Sequence, residues 1–386
     1  MTGGRVVVLA VVAAVGLVLG GMAALALDPE PEPEPVIAAV PVAKEVPAPP
    51  AERVLLVWSS GGLPEGFAER VAGAPLVTRS TVVEGGLVEL ASSWDAGGRA
   101  VDLPGPGLVV PLDVLGVDPA TYPAFLPASS RATFAELAPG EALLGTTSAG
   151  LRRIGPGGFL QLADGSTVTV AGVVDDVLVA GAELVVPAYG LPAEDRYLLV
   201  AYDGDRAAVE QALRALAPDG TALRIRGPGE APFLRHGDAV LPQAVIKERF
   251  GEFAYRREGG DLVLEPGWAD GLLATEDLPL LGPMRCHQAL LPALRGALAE
   301  IAERNLGYLV EETPGGCHAS RLTAAEDSVS RHAWGVALDL ADAPDPRVVE
   351  VLQRWGFAWG GEWLVPDPGH FEYVREPQSP AGRHQG

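Results

Sequence analysis

The chain runs to 386 residues, with 50 acidic against 28 basic side chains and a formal net charge of −22 at pH 7. That balance excludes nucleic acid and anionic lipid as charge-driven partners, because both demand basic patches. Hydrophobic residues make up 48 %, enough to bury sizeable cores, and the length suits two or three domains.

In chain order, Arg5 precedes 22 uncharged, mostly apolar residues, 6–27. A helix of that length spans a bilayer, whereas a secretory signal has a shorter apolar region. The stretch Ala24-Leu25-Ala26 still offers a small-residue cleavage site. A transmembrane anchor over 1–27 is therefore expected, with a cleaved signal and a secreted product as the alternative. A basic residue before the segment and acids after it place the rest of the chain outside the cytoplasm. Residues 28–51 alternate acid and proline and then continue proline-rich. That composition favours extended polyproline II and forbids a packed core, so it reads as a linker.

Residues 52–238 are rich in Val, Gly and Pro. Apolar runs at 53–59, 196–202 and 221–226 predict strands, and 64–73 a short helix. A second helix follows Asp205, with Ala208, Val209, Ala212, Leu213 and Leu216 at helical spacing and Asp203 or Asp205 as cap. Asp164-Gly165 between alternating runs predicts a hairpin. Two strand–helix–strand units of this kind give a split α/β sandwich. No cluster of His, Cys and acids and no nucleophile motif occurs there, so the module reads as non-catalytic. With the segment 181–187, its pattern resembles the extracytoplasmic domain of MacB/FtsX-type permeases.

Residues 239–375 predict a third region of α+β class, helices alternating with a mostly antiparallel sheet. A helix is expected from Cys286 onward, with Leu290, Leu294, Leu298 and Ile301 on one stripe. A strand over 335–341 carries Asp339. A second helix starts at Asp345 as N-cap with Pro346 in its first turn, and Gly356 ends it. Strands at 362–365 and 370–374 follow, and 376–386 reads as a disordered tail. The only cysteines, Cys286 and Cys317, are expected to form a disulfide, because the compartment permits it.

The chemistry sits in two segments, SRHAWGVALD at 330–339 and WLVPDPGHFE at 363–372. His332, Asp339 and His370 supply the three protein ligands of a catalytic zinc site with one position open for water. Both His332 and Asp339 reach one metal if the strand start bends at Gly335. Asp367, three residues before His370, is placed as the general base that takes a proton from water. His236, His287, His318 and His384 have no partner at ligand spacing and read as bystanders. Trp334, Trp355, Trp359 and Trp363 read as core or pocket wall, and Glu372 as a carboxylate orienting His370.

Ser330, His332, Gly335, Ala337, Asp339, Trp363, Asp367, His370 and Phe371 fill the fixed positions of the peptidase M15 pattern, S-x-H-x-x-G-x-A-x-D followed by W and [DE]-x-x-H-F. This third of the chain closely resembles that family of zinc D-Ala-D-Ala carboxypeptidases and L-alanyl-D-glutamate endopeptidases. The resemblance implies an α+β peptidase fold and Zn2+ as cofactor. It implies Arg321 and Ser330 as the groups that grip a substrate carboxylate, and peptidoglycan stem peptides as substrate. A D,D-carboxypeptidase is the expected activity, with an endopeptidase or a non-catalytic wall-binding receptor on the same fold as alternatives. Retention of Asp367 favours an enzyme.

Overall fold

The computed structural model describes residues 53–188, 194–227, 230, 241–310, 316–323, 328–341 and 343–374. The expected anchor, linker and tail, and with them His236 and His384, lie outside the described residues. Among the described residues no helix is long and apolar enough to cross a membrane. The molecule is of mixed α and β structure, and its described residues form one compact unit of two lobes.

The N-terminal lobe holds strands β1 (Val54–Ser59), β2 (Val77–Trp94), β3 (Ala100–Asp102), β4 (Val110–Val117), β5 (Glu141–Gly145), β6 (Phe159–Leu162), β7 (Thr167–Val174), β8 (Leu184–Pro187), β9 (Glu194–Tyr202) and β10 (Leu223–Arg226). Its helices are α1 (Phe67–Ala72), α2 (Arg131–Ala135), α3 (Thr146–Arg152) and α4 (Arg206–Leu216). The order β10-β1-β9-β2 is two interleaved strand–helix–strand units: β9 lies between β1 and β2, and β1 between β9 and β10. Strand period decides the faces. Leu55 and Val57 of β1 point to a core shared with Phe67 and Val71 of α1 and Val209 and Leu213 of α4. Val54 and Leu56 point to the opposite core, with Tyr197 and Leu199. Asp205 caps α4 by accepting from Ala208 N at 3.0 Å. This is the split arrangement the sequence predicts, but a second half departs from a simple sandwich. The path β2-β4-β8-β5-β7-β6 returns to β2, so the 18-residue β2 closes a six-stranded ring. The β6–β7 hairpin turns at Gly165, whose φ of +89° suits glycine.

The C-terminal lobe contains α5 (Gln243–Phe250), β11 (Tyr255–Glu258), β12 (Asp261–Leu264), α6 (Pro266–Leu272), β13 (Leu273–Leu278), β14 (Gly282–His287), α7 (Leu291–Glu303), β15 (Ala337–Asp339), α8 (Pro346–Arg354), β16 (Phe357–Trp359) and β17 (His370–Tyr373). The sheet β15-β17-β16 is antiparallel throughout. Two expectations need correction. The helix does not start at Cys286: Cys286 and His287 end β14, and α7 begins at Leu291 with Pro292 in its first turn. Proline supplies no N–H there and so marks the start, not the interior. Residues 362–365 form no strand; a 3-10 turn at Gly360–Glu362 follows β16, which instead pairs with β17. Asp345 caps α8 by accepting from Arg347 N at 2.9 Å.

The lobes meet through backbone, apolar and charged contacts. Val109 and Tyr255 exchange two backbone hydrogen bonds of 2.8 Å. Leu87 and Val109 pack on the C-terminal core, and Ala254 enters an N-terminal one. Between them lies a buried charge network. Lys247 Nζ of α5 lies 2.8 and 3.0 Å from the Glu183 oxygens and 2.9 Å from Glu252. Arg152 of α3 reaches Glu252 at 3.1 Å and both Glu183 and Asp102 at 3.4 Å. Gln243 donates to Glu183 at 2.8 Å. The side chains of Arg152, Lys247 and Glu183 are fully buried. Burial pushes the Glu252 carboxyl up, but Lys247 and Arg152 outweigh it and hold it down at about 2.

Candidate metal centre

Local geometry brings the three expected ligands together. Asp339 and His370 stand directly opposite each other on β15 and β17. Opposed residues on one face of an antiparallel pair lie within side-chain contact. His370 Nδ1 is 2.9 Å from Asp339 Oδ1. His332 comes from a 3-10 turn, Arg331–Trp334, just before β15. Gly335 ends that turn at φ +68°, and a Cβ there would come within 2.9 Å of His287 N. Only glycine meets both demands without strain. The bend at Gly335 delivers His332 Nε2 to 3.1 Å from Asp339 Oδ2. One ligand atom from each of His332, Asp339 and His370 falls within 4.8 Å of the others.

Hydrogen bonds fix which nitrogens face inward. His332 Nδ1 lies 3.1 Å from the Cys317 carbonyl, which can only accept, so the proton is assigned to Nδ1. Nε2 then faces inward, buried, toward Asp339 Oδ2 at 3.1 Å. His370 Nε2 lies 3.5 Å from Glu372 Oε1, leaving Nδ1 toward Asp339. Each imidazole is held on one nitrogen by a carbonyl or carboxylate and turns the other toward Asp339, the arrangement that orients ligands in a metal site. The electrostatics agree. Burial disfavours charge on His370, yet Asp339 and Glu372 raise its pKa to about 9. Burial likewise opposes the Asp339 carboxylate, but the two imidazoles hold its pKa well below the usual range. The cluster therefore binds positive charge, and two imidazoles with one carboxylate are a donor set suited to zinc.

Asp367 stays outside the ligand group and is exposed. Its backbone is anchored: Asp367 N donates to Gly360 O at 3.0 Å and His370 N to Asp367 O at 3.1 Å. A Cβ on Gly360 would come 2.5 Å from Asp367 O, so glycine permits this close crossing. Arg321 is 54 % exposed, with Nη2 3.9 Å from Asp339 Oδ2. Ser330 is buried, and its Oγ accepts from His332 N at 3.3 Å as cap of the turn that carries His332. Trp363 walls the site with its ring 5.2 Å from that of His370, whereas Trp334 is fully buried in the core. Cys286 and Cys317 form a disulfide, with Cα atoms 4.8 Å apart. It ties β14 to the segment whose carbonyl holds His332.

His287 stands apart from the ligands. Its Nε2 meets Phe250 O and its Nδ1 accepts from Ala289 N, both at 3.1 Å. Burial depresses its pKa to about 4. The roles of the Cys317 carbonyl and of the charge network were not visible in the sequence. A lone carbonyl leaves no signal there, and single charges far apart in the chain show no pattern.

Comparison with known proteins supports the motif reading. Residues 323–373 match the peptidase M15 family model described as D-alanyl-D-alanine carboxypeptidase. The matched stretch holds the three ligands, Ser330 and Asp367. No curated protein matches the chain. Among solved structures, the periplasmic region of MacB from Actinobacillus actinomycetemcomitans aligns at 12 % identity and TM-score 0.30, covering 45 % of this chain and 88 % of that one. The extracellular domain of the noncanonic ABC-type transporter YknZ from Gram-positive bacteria aligns at 11 % identity and TM-score 0.29, covering 45 % and 100 %. The segment that matches the peptidase family bears the His–Asp–His cluster.

Proposed function

We propose that this chain is a zinc metallopeptidase that removes a C-terminal D-amino acid from peptidoglycan stem peptides outside the cytoplasm. The observation that carries the reading is the convergence of His332 Nε2, Asp339 and His370 Nδ1, with His332 Nε2 and His370 Nδ1 buried at 3.1 and 2.9 Å from the two Asp339 oxygens. Zinc held there would bring a bound water to a pKa near 7, making hydroxide available at neutral pH. Asp367, exposed and three residues before His370, would accept a proton at its carboxylate and return it to the departing amine. Arg321 would grip the terminal carboxylate through paired N–H donors. Ser330 Oγ already accepts from His332 N, so its hydroxyl proton is free to reach the same carboxylate. The disulfide and the N-terminal apolar segment support an extracytoplasmic location.

One observation favours a second reading. Arg321 and Asp339 are 54 % and 34 % exposed, an open rim that would let a longer peptide pass, as an endopeptidase needs. Digestion of purified muropeptides with the full chain, followed by mass analysis, separates the two. The carboxypeptidase releases one D-amino acid from free-acid pentapeptides and turns over amidated ones poorly. Equal turnover of both, with internal cleavage, would assign the endopeptidase.

A further inference from the structure

Helix α5 ties the N-terminal lobe to the turn that carries His332. Arg331 and Trp334 flank His332 in that turn, and their side chains reach opposite ends of the helix. Arg331 Nη2 donates to Leu241 O at 3.0 Å, just before α5, and Trp334 Nε1 to Gly251 O at 3.1 Å, just after it. With 8 residues, α5 is roughly 12 Å long. Two anchors separated by its length fix the tilt of the turn as well as its place. Gly335, which ends the turn, is held from the same side. His287 donates its N–H to Gly335 O at 2.9 Å and sets Nε2 against Phe250 O at 3.1 Å.

A second set of contacts seats α5 on the N-terminal lobe. Gln243 and Lys247 are four positions apart, so they share one face of the helix, and both are buried. Each reaches Glu183 at 2.8 Å, and each donates to the Pro111 carbonyl of β4. Arg152 of α3 holds Glu252 at 3.1 Å, the residue next to the carbonyl that Trp334 grips. Buried charges stay with their partners, because parting them leaves a charge with neither water nor counter-ion. Apolar packing alone would let the helix slide; bonds to fixed oxygens do not. The lobes also meet away from α5, where Glu89 accepts from Tyr255 Oη and Arg257 Nε, both at 2.8 Å.

We propose that Gln243 and Lys247 are positioning residues for the His332 turn, so that the N-terminal lobe, acting through α5, sets how tightly the His332–Asp339–His370 cluster holds zinc. The proposal rests on the zinc reading of that cluster, and its test reads metal affinity instead of turnover. Zinc competition titration of the full chain compares variants in buffer where tryptophan fluorescence shows them folded. Lys247→Met should bind zinc about tenfold more weakly than wild type, the lower end of the loss for groups that orient a ligand. Gln243→Leu removes no charge and should weaken zinc in the same direction; it decides the question if Lys247→Met does not fold. Glu89→Ala, which loosens the lobes away from α5, should keep wild-type affinity. Arg331→Gln cuts the far end of the path. Combined with Gln243→Leu, its loss should be less than additive, because both act through one helix. Wild-type zinc affinity in Gln243→Leu or in a folded Lys247→Met, additive losses in the double variant, or equal weakening by Glu89→Ala would overturn the positioning role. Failure of the zinc reading shows separately, as a wild type that takes up no zinc, and it would remove the positioning role as well.

Discussion

Replacing Lys247 by Met removes the cation that joins α5 to the N-terminal lobe. Its ammonium contacts both Glu183 oxygens, at 2.8 and 3.0 Å, and Glu252 at 2.9 Å, and also donates to the Pro111 carbonyl. Removing one partner of a buried pair typically costs about 3–5 kcal/mol, because the other charge stays buried and uncompensated. Here Glu183 keeps Gln243 at 2.8 Å, Asp113 N at 3.1 Å and Arg152 at 3.4 Å, so the lower end, about 3 kcal/mol, is expected. That is a large part of a typical stability of about 5–15 kcal/mol. Neutralising the stranded carboxylate as well, in Lys247→Met with Glu183→Gln, should recover part of the loss, since the two sites are in contact. Urea unfolding of the full chain followed by tryptophan fluorescence reads both variants. A Lys247→Met loss below about 1 kcal/mol would be the size of an exposed pair and would refute a buried lock between the lobes.

Three further outcomes follow from named contacts. The folded pKa of His287 is depressed to about 4 from an ordinary 6.5, so the unfolded chain takes up that proton first. Stability should be complete above about pH 6.5 and fall by about 3 kcal/mol toward pH 4, and His287→Gln should flatten that part of the curve; an unchanged slope would refute the assignment. Glu372→Gln should weaken zinc binding by about 10–100-fold in a competition titration, because Glu372 holds His370 Nε2; unchanged affinity removes it from that role. Asp367→Ala should cut hydrolysis by about 10²–10⁴-fold while zinc content stays at the wild-type level; loss of metal would show that Asp367 is a ligand and not a base.

The His332–Asp339–His370 cluster was legible because its parts are local. A cap, a glycine bend and a strand put His332 and Asp339 seven positions apart at the right angle, and the cross-strand register of Asp339 with His370 follows once both are strands. The helical stripe of α7 was also legible, but not its start: the apolar run Leu290-Leu291 adjoins Cys286-His287, and periodicity does not mark where β14 gives way. The closed ring of the N-terminal lobe depends on β2 pairing on both edges, which local pattern does not encode. Arg152, Glu183 and Lys247 lie far apart in the chain, and only the fold shows that they neutralise one another.

The central claim is that one zinc is held by His332, Asp339 and His370. Metal analysis of the purified full chain after equilibration with limiting zinc, compared with His370→Ala prepared alongside, tests it most directly. About one zinc per wild-type chain is expected, with strong loss in His370→Ala and activity that a chelator abolishes and zinc restores. A His370→Ala chain that retains zinc as well as wild type, or a metal-free wild type that still cleaves stem peptides, would contradict it.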